Sequence, residues 1–280
     1  MSPALHEHVA RDVARALEED LGPGDLTAQL LPQDMMARAR LICRDHAVLA
    51  GAPWFEACFR QLDPTVEIQW NVPEGGALSP GIEVCLLQGQ ARALLSAERP
   101  ALNFLQTLSG VATATRRCVE AVAGTRARIL DTRKTLPGLR FAQKYAVRLG
   151  GGVNHRMGLY DAILIKENHI AVAGGVREAL AAARRVDPSV PIQIEVENLV
   201  QLEEALAAGA RLILLDNFPL DALREAVRLT AGRAELEASG GICLENVRAI
   251  AEAGVDRISI GSLTKDVKAI DFSLRVVPVT

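Results

Sequence analysis

The fold is decided by residues 192–241, which read IQIEVENLVQLEEALAAGARLILLDNFPLDALREAVRLTAGRAELEASGG. Short apolar runs alternate there with longer Ala/Leu-rich segments: IQIEV (192–196), LVQLEEALAAG (199–209), LILL (212–215), LDALREAVRLT (220–230) and AELEA (234–238). Apolar runs of strand length separated by helical patterns are typical of βαβ units, and consecutive units build a parallel sheet. The stretch therefore predicts parallel strands whose connecting helices lie outside the sheet.

The same alternation extends to both sides of this stretch. Three further apolar runs have strand length: ARIL (127–130), AILI (162–165) and RISI (257–260). Together the runs predict six strands, and a seventh is expected either within residues 141–153 or near residues 274–277. A series of this kind that closes on itself predicts a β/α barrel.

The first part of the chain follows a different pattern. Residues 4–19 have the apolar spacing of a helix, and residues 97–121 predict a second, long helix. Between them, residues 39–51, 66–72 and 81–95 read as strands that are separated by turn-forming clusters such as PEGG and SPG. The chain therefore combines a mixed α/β region with the β/α series.

Composition excludes several classes of protein. The chain has 280 residues, of which 49% are hydrophobic, and its formal net charge of −3 does not suit a protein that coats nucleic acid. Its five cysteines are odd in number and contain no C-x-x-C pair, which favours reduced thiols in a cytosol over a disulfide framework or a zinc site. The sequence has no secretory signal pattern and no apolar run of about 18 residues, so we expect neither export nor a membrane span.

Charged residues and glycines follow the predicted strands at their carboxyl ends. Lys166, Glu195 and Asp216 stand at the ends of three strands, and two loops, Ser239-Gly240-Gly241 and Gly261-Ser262, follow two others. In a β/α barrel these ends meet at one mouth, so we expect the groups to face a common space. Backbone N–H groups in such loops bind phosphate; one SGG alone is weak evidence, but a pair on the last two strands is stronger.

Cationic groups are concentrated in the motifs DTRKTLPG and GGGVNHRMG and just after them. The groups are Arg133, Lys134, His155, Arg156 and Lys166. Arginine grips a carboxylate in bidentate fashion, whereas lysine is a compact charge suited to phosphate. The cluster therefore predicts an anionic ligand with several charges. The alternative, a solvated surface loop, fits an isolated Arg-Lys pair better than a set of cations at strand ends.

Two carboxylates are expected beside these cations. Glu195 and Asp216 at neighbouring strand ends fit Mg²⁺, which takes a few carboxylates together with water and substrate phosphates. The alternative is that they only balance the charge of the pocket. Glu197 shares the strand face of Glu195 by the period of two and is a weaker candidate.

These motifs, in this order, resemble the quinolinate phosphoribosyltransferase family over nearly the whole chain. They are EDLGPGDLT (19–27), AERPALNFLQTLSGVAT (97–113), DTRKTLPGLR (131–140), GGGVNHRMGL (150–159), DAILIKENHI (161–170), IEVEN (194–198), LLDNF (214–218), ASGGI (238–242), DRISIGSLTKDV (256–267) and IDFSL (270–274). The pair DTRKT and IKENHI is highly specific. One difference is that many members have a His in the segment where Lys265-Asp266 stand here, so the role of that segment is open.

The resemblance implies an architecture of the type II phosphoribosyltransferase kind. An N-terminal α/β sandwich domain is expected over residues 1–110 and an incompletely closed β/α barrel over residues 111–269. A tail of about residues 270–280 is expected to pack on the first domain. The resemblance also implies a homodimer, or a higher oligomer, whose active site is shared across subunits.

The resemblance further implies a reaction and a set of site residues. The family transfers phosphoribosyl from phosphoribosyl pyrophosphate to quinolinate with Mg²⁺, giving nicotinate mononucleotide, pyrophosphate and CO₂ for NAD biosynthesis. By motif match, quinolinate is expected at Arg133, His155, Arg156, Lys166 and, from the neighbouring subunit, Arg99. Lys134, Glu195 and Asp216 are expected to serve phosphoribosyl pyrophosphate and the metal, and residues 239–241 and 261–262 the 5′-phosphate. The expected catalytic groups are Lys134, Lys166, Glu195 and Asp216.

Three other functions remain open at this point. A paralogue of the family associated with molybdenum uptake tends to lack the strand-end lysine and the ENH that follows it, whereas residues 166–169 read KENH here. A Schiff-base aldolase is expected to use Lys166 with a depressed pKa. Nicotinate phosphoribosyltransferase binds a monocarboxylate, which needs fewer cations.

Overall fold

A computed structural model describes residues 3–278 of the chain. Residues 1, 2, 279 and 280, at the outer ends of the predicted domain and tail ranges, lie outside this part. The described residues form two compact units. Unit 1 contains residues 3–114, 136–151 and 266–278, and unit 2 contains residues 115–135 and 152–265. None of the described helices is both long and apolar enough to cross a membrane.

The helices and strands are numbered in chain order. The first part of the chain contains α1 (Pro3–Leu21), a 3₁₀ turn (Ala28–Leu30), β1 (Met36–Cys43), β2 (Ala47–Val48), α2 (Ala52–Leu62), β3 (Glu67–Trp70), β4 (Ala77–Leu78), β5 (Glu83–Gln90) and α3 (Ala91–Ala121). The second part contains β6 (Arg128–Leu130), α4 (Arg140–Leu149), β7 (Ile163–Ile165), α5 (Glu167–Ala173), α6 (Val176–Val186), β8 (Ile192–Val196), α7 (Leu199–Ala207), β9 (Leu212–Asp216), α8 (Leu220–Thr230), β10 (Glu235–Ser239), α9 (Val247–Glu252), β11 (Arg257–Ser259), α10 (Ser262–Lys265) and β12 (Phe272–Pro278).

Unit 1 is built on an antiparallel sheet with the strand order β12-β1-β5-β3. Burial alternates along β1, which places every second side chain in the core, as expected for a sheet with one covered face. Helix α2 buries Trp54 and Phe55 completely, and the Trp54 indole N–H donates to Asp12 Oδ2 of α1 over 3.0 Å. Large aromatic side chains of this kind contribute much of the apolar area of a core.

Two sequence predictions for this region need correction. The run 81–95 was predicted as one strand, but β5 ends at Gln90 and α3 begins at Ala91. The long helix predicted from residue 97 therefore starts six residues earlier, at residue 91. Residues 91–95 read ARALL, and alanine, leucine and arginine are the strongest helix formers, so the propensity of this segment agrees with the helix.

Unit 2 is an open β/α barrel, and its sheet has the strand order β6-β11-β10-β9-β8-β7. All five neighbouring pairs are parallel, and the six predicted strands are confirmed. Strands β6 and β7 are the two edges, which agrees with the expected incomplete closure. Val153 forms an isolated parallel bridge with Leu130 of β6.

Of the two places predicted for a seventh strand, residues 141–153 contribute one bridging residue, Val153, beside β6, and residues 274–277 contribute nothing to the parallel sheet. Residues 140–149 form α4, and residues 274–277 belong to β12, which pairs antiparallel with β1 in the sheet of unit 1. Within residues 3–278 the parallel sheet therefore has six strands. The apolar residues near residue 145 fit a helix because Ala142, Ala146 and Val147 are buried on one stripe.

Candidate active site

The carboxyl ends of three neighbouring strands bring the predicted lysine and carboxylates together. Lys166 directly follows β7, Glu195 lies in β8 and Asp216 ends β9. The Lys166 ammonium donates to both carboxylate oxygens of Glu195, with Nζ 2.9 Å from Oε1 and 2.7 Å from Oε2. Bidentate, charge-assisted contacts of this length fix both side chains at the mouth of the barrel.

The pKa of Glu195 is raised above its usual range in spite of this partner. Burial is the main cause. The hydrogen bond and the charge of Lys166 lower the pKa, and the charges of Asp216 and Glu167 raise it. The influence of Asp216 means that the two carboxylates act on each other, as their neighbouring strand ends predicted. Two converging carboxylates on a barrel mouth are the donor set that Mg²⁺ takes alongside water and phosphate oxygens, so these residues fit the expected metal. Residues 3–278 contain no group of three or more His, Cys, Asp or Glu that would form an all-protein metal cage.

Two half-buried arginines of the basic motifs influence each other electrostatically. Burial is the first cause that lowers the pKa of Arg156, and the charge of Arg133 is the second. Asp161 opposes them, and it also accepts hydrogen bonds from the backbone N–H groups of Met157 and Gly158 over 2.6 and 3.0 Å. Arg156 Nη1 donates to Ala162 O over 3.2 Å, so the guanidinium has a fixed direction. Two partly desolvated guanidinium groups in proximity form a site that attracts a multiply charged anion.

His155 has partners for both of its ring nitrogens. Nδ1 lies 2.7 Å from the backbone nitrogen of Arg156, and Nε2 lies 3.0 Å from Gln193 Oε1. The buried carboxylate of Asp131 holds the same segment, because it accepts from His155 N over 2.8 Å and from Asn154 Nδ2 over 2.6 Å. Residues 154–156 (NHR) are thus anchored by their side chains and by their backbone.

Gln193 in turn donates from Nε2 to Oε2 of the buried Glu237 over 3.0 Å. The sequence did not predict several of these anchoring residues. They are Asp131, Asn154, Gln193, Asp161 and Glu237. A signal for Gln193 existed, because a polar residue two positions before Glu195 in an apolar strand lies on the same face. Glu237 carried the same signal inside AELEA.

Lys134 lies against the predicted Gly261-Ser262 loop. Its backbone carbonyl accepts from Thr264 Oγ1 over 2.8 Å, and a Cβ added to Gly261 would lie 2.9 Å from Lys134 Cδ. A larger residue at position 261 would therefore displace the present path of the flexible Lys134 side chain. Helix α10 begins at Ser262, directly after this glycine.

The Ser239-Gly240-Gly241 loop contacts the end of β9. Asn217, whose φ of 55° is in the left-handed region, donates its backbone N–H to Ser239 O over 2.8 Å. A Cβ added to Gly240 would lie 2.0 Å from Asn217 Oδ1, and the φ of Gly240 is +99°. The loop therefore requires glycine on two grounds, space and backbone conformation. Helix α9 begins only at Val247, several residues beyond the loop.

The remaining predicted residues lie elsewhere. Arg99 is an exposed residue of α3 in unit 1. Glu197 directly follows the end of β8 at Val196 and is exposed, unlike the buried Glu195; its backbone N–H donates to Gln201 Oε1 over 2.8 Å. Lys265 ends α10 and is exposed.

Comparison with known proteins identifies the family over most of the chain. Residues 25–109 match the family model "Quinolinate phosphoribosyl transferase, N-terminal domain", and residues 111–275 match "Quinolinate phosphoribosyl transferase, C-terminal domain". A probable nicotinate-nucleotide pyrophosphorylase [carboxylating] of Bacillus subtilis is 45% identical over 259 residues, which cover 92% of this chain and 90% of that protein.

A second sequence relative and a solved structure are similar to this chain over nearly its whole length. The nicotinate-nucleotide pyrophosphorylase [carboxylating] of Mycobacterium leprae is 45% identical, with 95% of this chain and 96% of that protein covered. The solved structure of the nicotinate-nucleotide pyrophosphorylase from Francisella tularensis superposes with a TM-score of 0.95 at 43% identity and covers 99% of this chain and 98% of that one. The chain belongs to the quinolinate phosphoribosyltransferase family and is a phosphoribosyltransferase.

Proposed function

We propose that the basic cluster and the strand-end groups of unit 2 carry out the family reaction as follows. The chain transfers phosphoribosyl from phosphoribosyl pyrophosphate to quinolinate with loss of CO₂, giving nicotinate mononucleotide and pyrophosphate for NAD biosynthesis. Arg133 and Arg156 bind the quinolinate carboxylates, and the strand-end groups serve the phosphoribosyl half. The observation that carries the substrate assignment is a pair of half-buried arginines, of which Arg156 has its guanidinium fixed by Ala162 O and Arg133 is near enough for its charge to lower the pKa of Arg156.

Quinolinate is a dicarboxylate, and removing two carboxylates from water is costly unless cations receive them. Arg133 and Arg156 offer paired guanidinium groups, and each is able to bind one carboxylate in bidentate fashion. Lys166 adds a third charge at the end of β7, where Glu195 already fixes its direction. His155 stays a predicted member of this set, although both of its ring nitrogens already have partners in the chain.

Phosphoribosyl pyrophosphate occupies the other half of the site in this proposal. Lys134 neutralises phosphate charge beside the Gly261-Ser262 loop, and the backbone N–H groups of that loop and of residues 239–241 receive the 5′-phosphate. Glu195 and Asp216 hold Mg²⁺, which supplies charge neutralisation at the pyrophosphate leaving group when bound. The same carboxylates stabilise positive charge that develops on the ribosyl carbon.

The bond changes need no covalent intermediate on the protein. The pyridine nitrogen of quinolinate forms a bond to the ribosyl carbon as the bond from that carbon to pyrophosphate breaks. The alkylated ring is an electron sink, so the carboxylate next to the nitrogen leaves as CO₂, its bonding electrons pass to the ring, and a proton takes its place. The residues of the chain therefore act by positioning and electrostatics.

The assembly and location of the enzyme are part of the same proposal. We assign Arg99 to the active site of the neighbouring subunit of a homodimer, or of a higher oligomer, because an exposed arginine of α3 is free to serve a partner's ligand. We assign the protein to the cytoplasm because all five cysteines, which lie within the described residues, are free thiols and four of them are buried.

A Schiff-base aldolase is the second candidate that Lys166 raises. A Schiff base requires a neutral amine. The contacts of Nζ with both oxygens of Glu195 stabilise the ammonium form instead, which favours a charge-binding role for Lys166. Borohydride trapping with a carbonyl substrate distinguishes the two, since only the aldolase gives a mass increase at Lys166.

The proposed reaction is tested by incubating the protein with quinolinate, phosphoribosyl pyrophosphate and Mg²⁺ and following CO₂ and nicotinate mononucleotide. We expect the two products in equal amounts and none when either substrate is omitted. Nicotinate in place of quinolinate is the control, because it lacks the second carboxylate. Turnover of nicotinate that equals or exceeds turnover of quinolinate would overturn the substrate assignment.

A further inference from the structure

A buried polar pair lies behind the basic cluster of unit 2. Gln193 Nε2 donates to Glu237 Oε2 over 3.0 Å, and both side chains are buried. The His155 ring faces this pair, with Nε2 3.0 Å from Gln193 Oε1 and 3.5 Å from Glu237 Oε1. We infer that Glu237 and Gln193 are positioning residues, which fix the ring of His155 and, through it, the direction of Arg156.

The hydrogen-bond pattern assigns the proton on the ring. Nδ1 of His155 faces the backbone N–H of Arg156, a donor, so Nδ1 acts as the acceptor. Nε2 faces the carbonyl oxygen of Gln193 and a carboxylate oxygen of Glu237, which are both acceptors, so Nε2 carries the proton. Carboxylate and carbonyl partners behind a histidine fix its tautomer and orientation in the same way at metal centres and in catalytic triads.

The buried carboxylate of Glu237 is only partly satisfied by hydrogen bonds. Its side chain is 1% exposed, and its Oε1 has no hydrogen-bond donor within the described residues except the approach of His155 Nε2 at 3.5 Å. A buried carboxylate that is only partly satisfied costs stability, and an apolar residue would fill the same space at lower cost. The cost is explained if the carboxylate is needed to hold the ring.

The ring in turn holds Arg156. The backbone N–H of Arg156 is bound by the His155 ring, the backbone N–H of His155 is bound by Asp131, and the Arg156 guanidinium donates to Ala162 O. Rotation of the ring would release the first of these contacts and let the arginine move. This inference rests on the proposed role of Arg156 in quinolinate binding.

Glu237→Gln is the sharpest test because it preserves shape. The site presents two donors to residue 237, Gln193 Nε2 and His155 Nε2, and a carboxylate accepts from both. A glutamine offers one acceptor and one donor, so one donor must face another whichever way its amide is turned. We expect KM for quinolinate to rise about tenfold, whereas KM for phosphoribosyl pyrophosphate and kcat change less than about twofold.

Glu235→Gln is the matched control. It makes the same chemical change on the same strand, but Glu235 is exposed and pairs with Arg257 and Arg128. We expect wild-type kinetics from it. If Glu237→Gln does not fold, Gln193→Met replaces it, since methionine keeps the volume and removes both hydrogen bonds of the amide. It is expected to give the same selective rise.

Four outcomes distinguish the possibilities. A selective rise in KM for quinolinate, with the melting temperature close to that of Glu235→Gln, supports the positioning role. Equal losses toward both substrates, or unchanged kinetics in a wild type that makes nicotinate mononucleotide, overturn it. A wild type that makes no nicotinate mononucleotide instead overturns the proposed function, so the two failures are distinguishable.

Discussion

Replacing Lys166 by methionine isolates the ion pair at the mouth of the barrel. Methionine keeps the length of the apolar chain and removes the ammonium that lies 2.7 and 2.9 Å from the oxygens of Glu195. The variant leaves a carboxylate that is 10% exposed without its cation, next to the charges of Asp216 and Glu167. We therefore expect Lys166→Met to lower both the stability of the protein and its use of quinolinate.

The size of the stability effect follows from the exposure of the pair. Hydrogen bonds to charged groups contribute about 1.5–3 kcal/mol, and solvent screening of a lysine that is 44% exposed places this one at the lower end. We expect the free energy of unfolding to fall by about 1.5 kcal/mol at neutral pH, which lowers Tm by about 3–6 °C. Adding Glu195→Gln to the Lys166→Met chain should restore most of the lost stability, because it removes the uncompensated charge.

The effect should depend on pH with a definite sign. Burial raises the pKa of Glu195 above its usual value of 4.5, and Lys166 opposes the rise, so removing Lys166 raises the pKa further. A carboxyl group whose pKa is raised by folding binds its proton more tightly in the folded state. The contribution of Glu195 to the free energy of unfolding is therefore most favourable below pH 4.5, and it is lost as pH rises through the pKa of the folded state. The Tm deficit of Lys166→Met should be small near pH 4.5 and grow toward pH 8.

Thermal unfolding followed by circular dichroism from pH 4.5 to 8 measures this dependence. Arg224→Met is the control, since its partner Asp221 is 95% exposed and the pair should contribute almost nothing. The reasoning is refuted if the Lys166→Met curve runs parallel to the wild-type curve, or if adding Glu195→Gln lowers Tm further.

Three other changes test the rest of the site. Arg99→Ala should impair quinolinate use, and mixing it with Lys134→Ala chains should restore part of the activity if Arg99 acts across subunits; verified mixed dimers without recovery would argue against a shared site. Gly240→Ala should lower Tm and raise KM for phosphoribosyl pyrophosphate more than Gly241→Ala does, because both positions have positive φ but only residue 240 also meets Asn217 at 2.0 Å. Chelation of Mg²⁺ should abolish activity and its return should restore it, whereas full activity in chelator would contradict the assigned metal.

Much of the barrel and its mouth was predictable because each signal was local. Strand-length apolar runs between helical patterns predicted six strands, and all six are present in the parallel sheet. Lys166, Glu195 and Asp216 were predictable as a group because carboxyl ends of parallel strands meet at one edge, whatever the sequence distance between them. The early start of α3 and the helix α4 in the range of the predicted seventh strand were not predicted, since the period of a short apolar run does not separate helix from strand. The helix-forming residues of 91–95 were the signal that favoured the helix.

The partnership of Gln193 with Glu237 shows what a strand-by-strand analysis cannot predict. The period of two places Gln193 on the face of Glu195, so its inward direction was available from the sequence. Its partner was not. The register pairs Gln193 with Leu212 of β9, and Leu212 with Glu235 of β10, yet the hydrogen bond runs to Glu237, two residues further along β10. Strands of a barrel are tilted and staggered, so side chains at one height come from register positions that shift from strand to strand. That shift depends on the curvature of the whole sheet. The identity of the carboxylate that faces His155 depends on the shift and therefore could not be predicted from single strands.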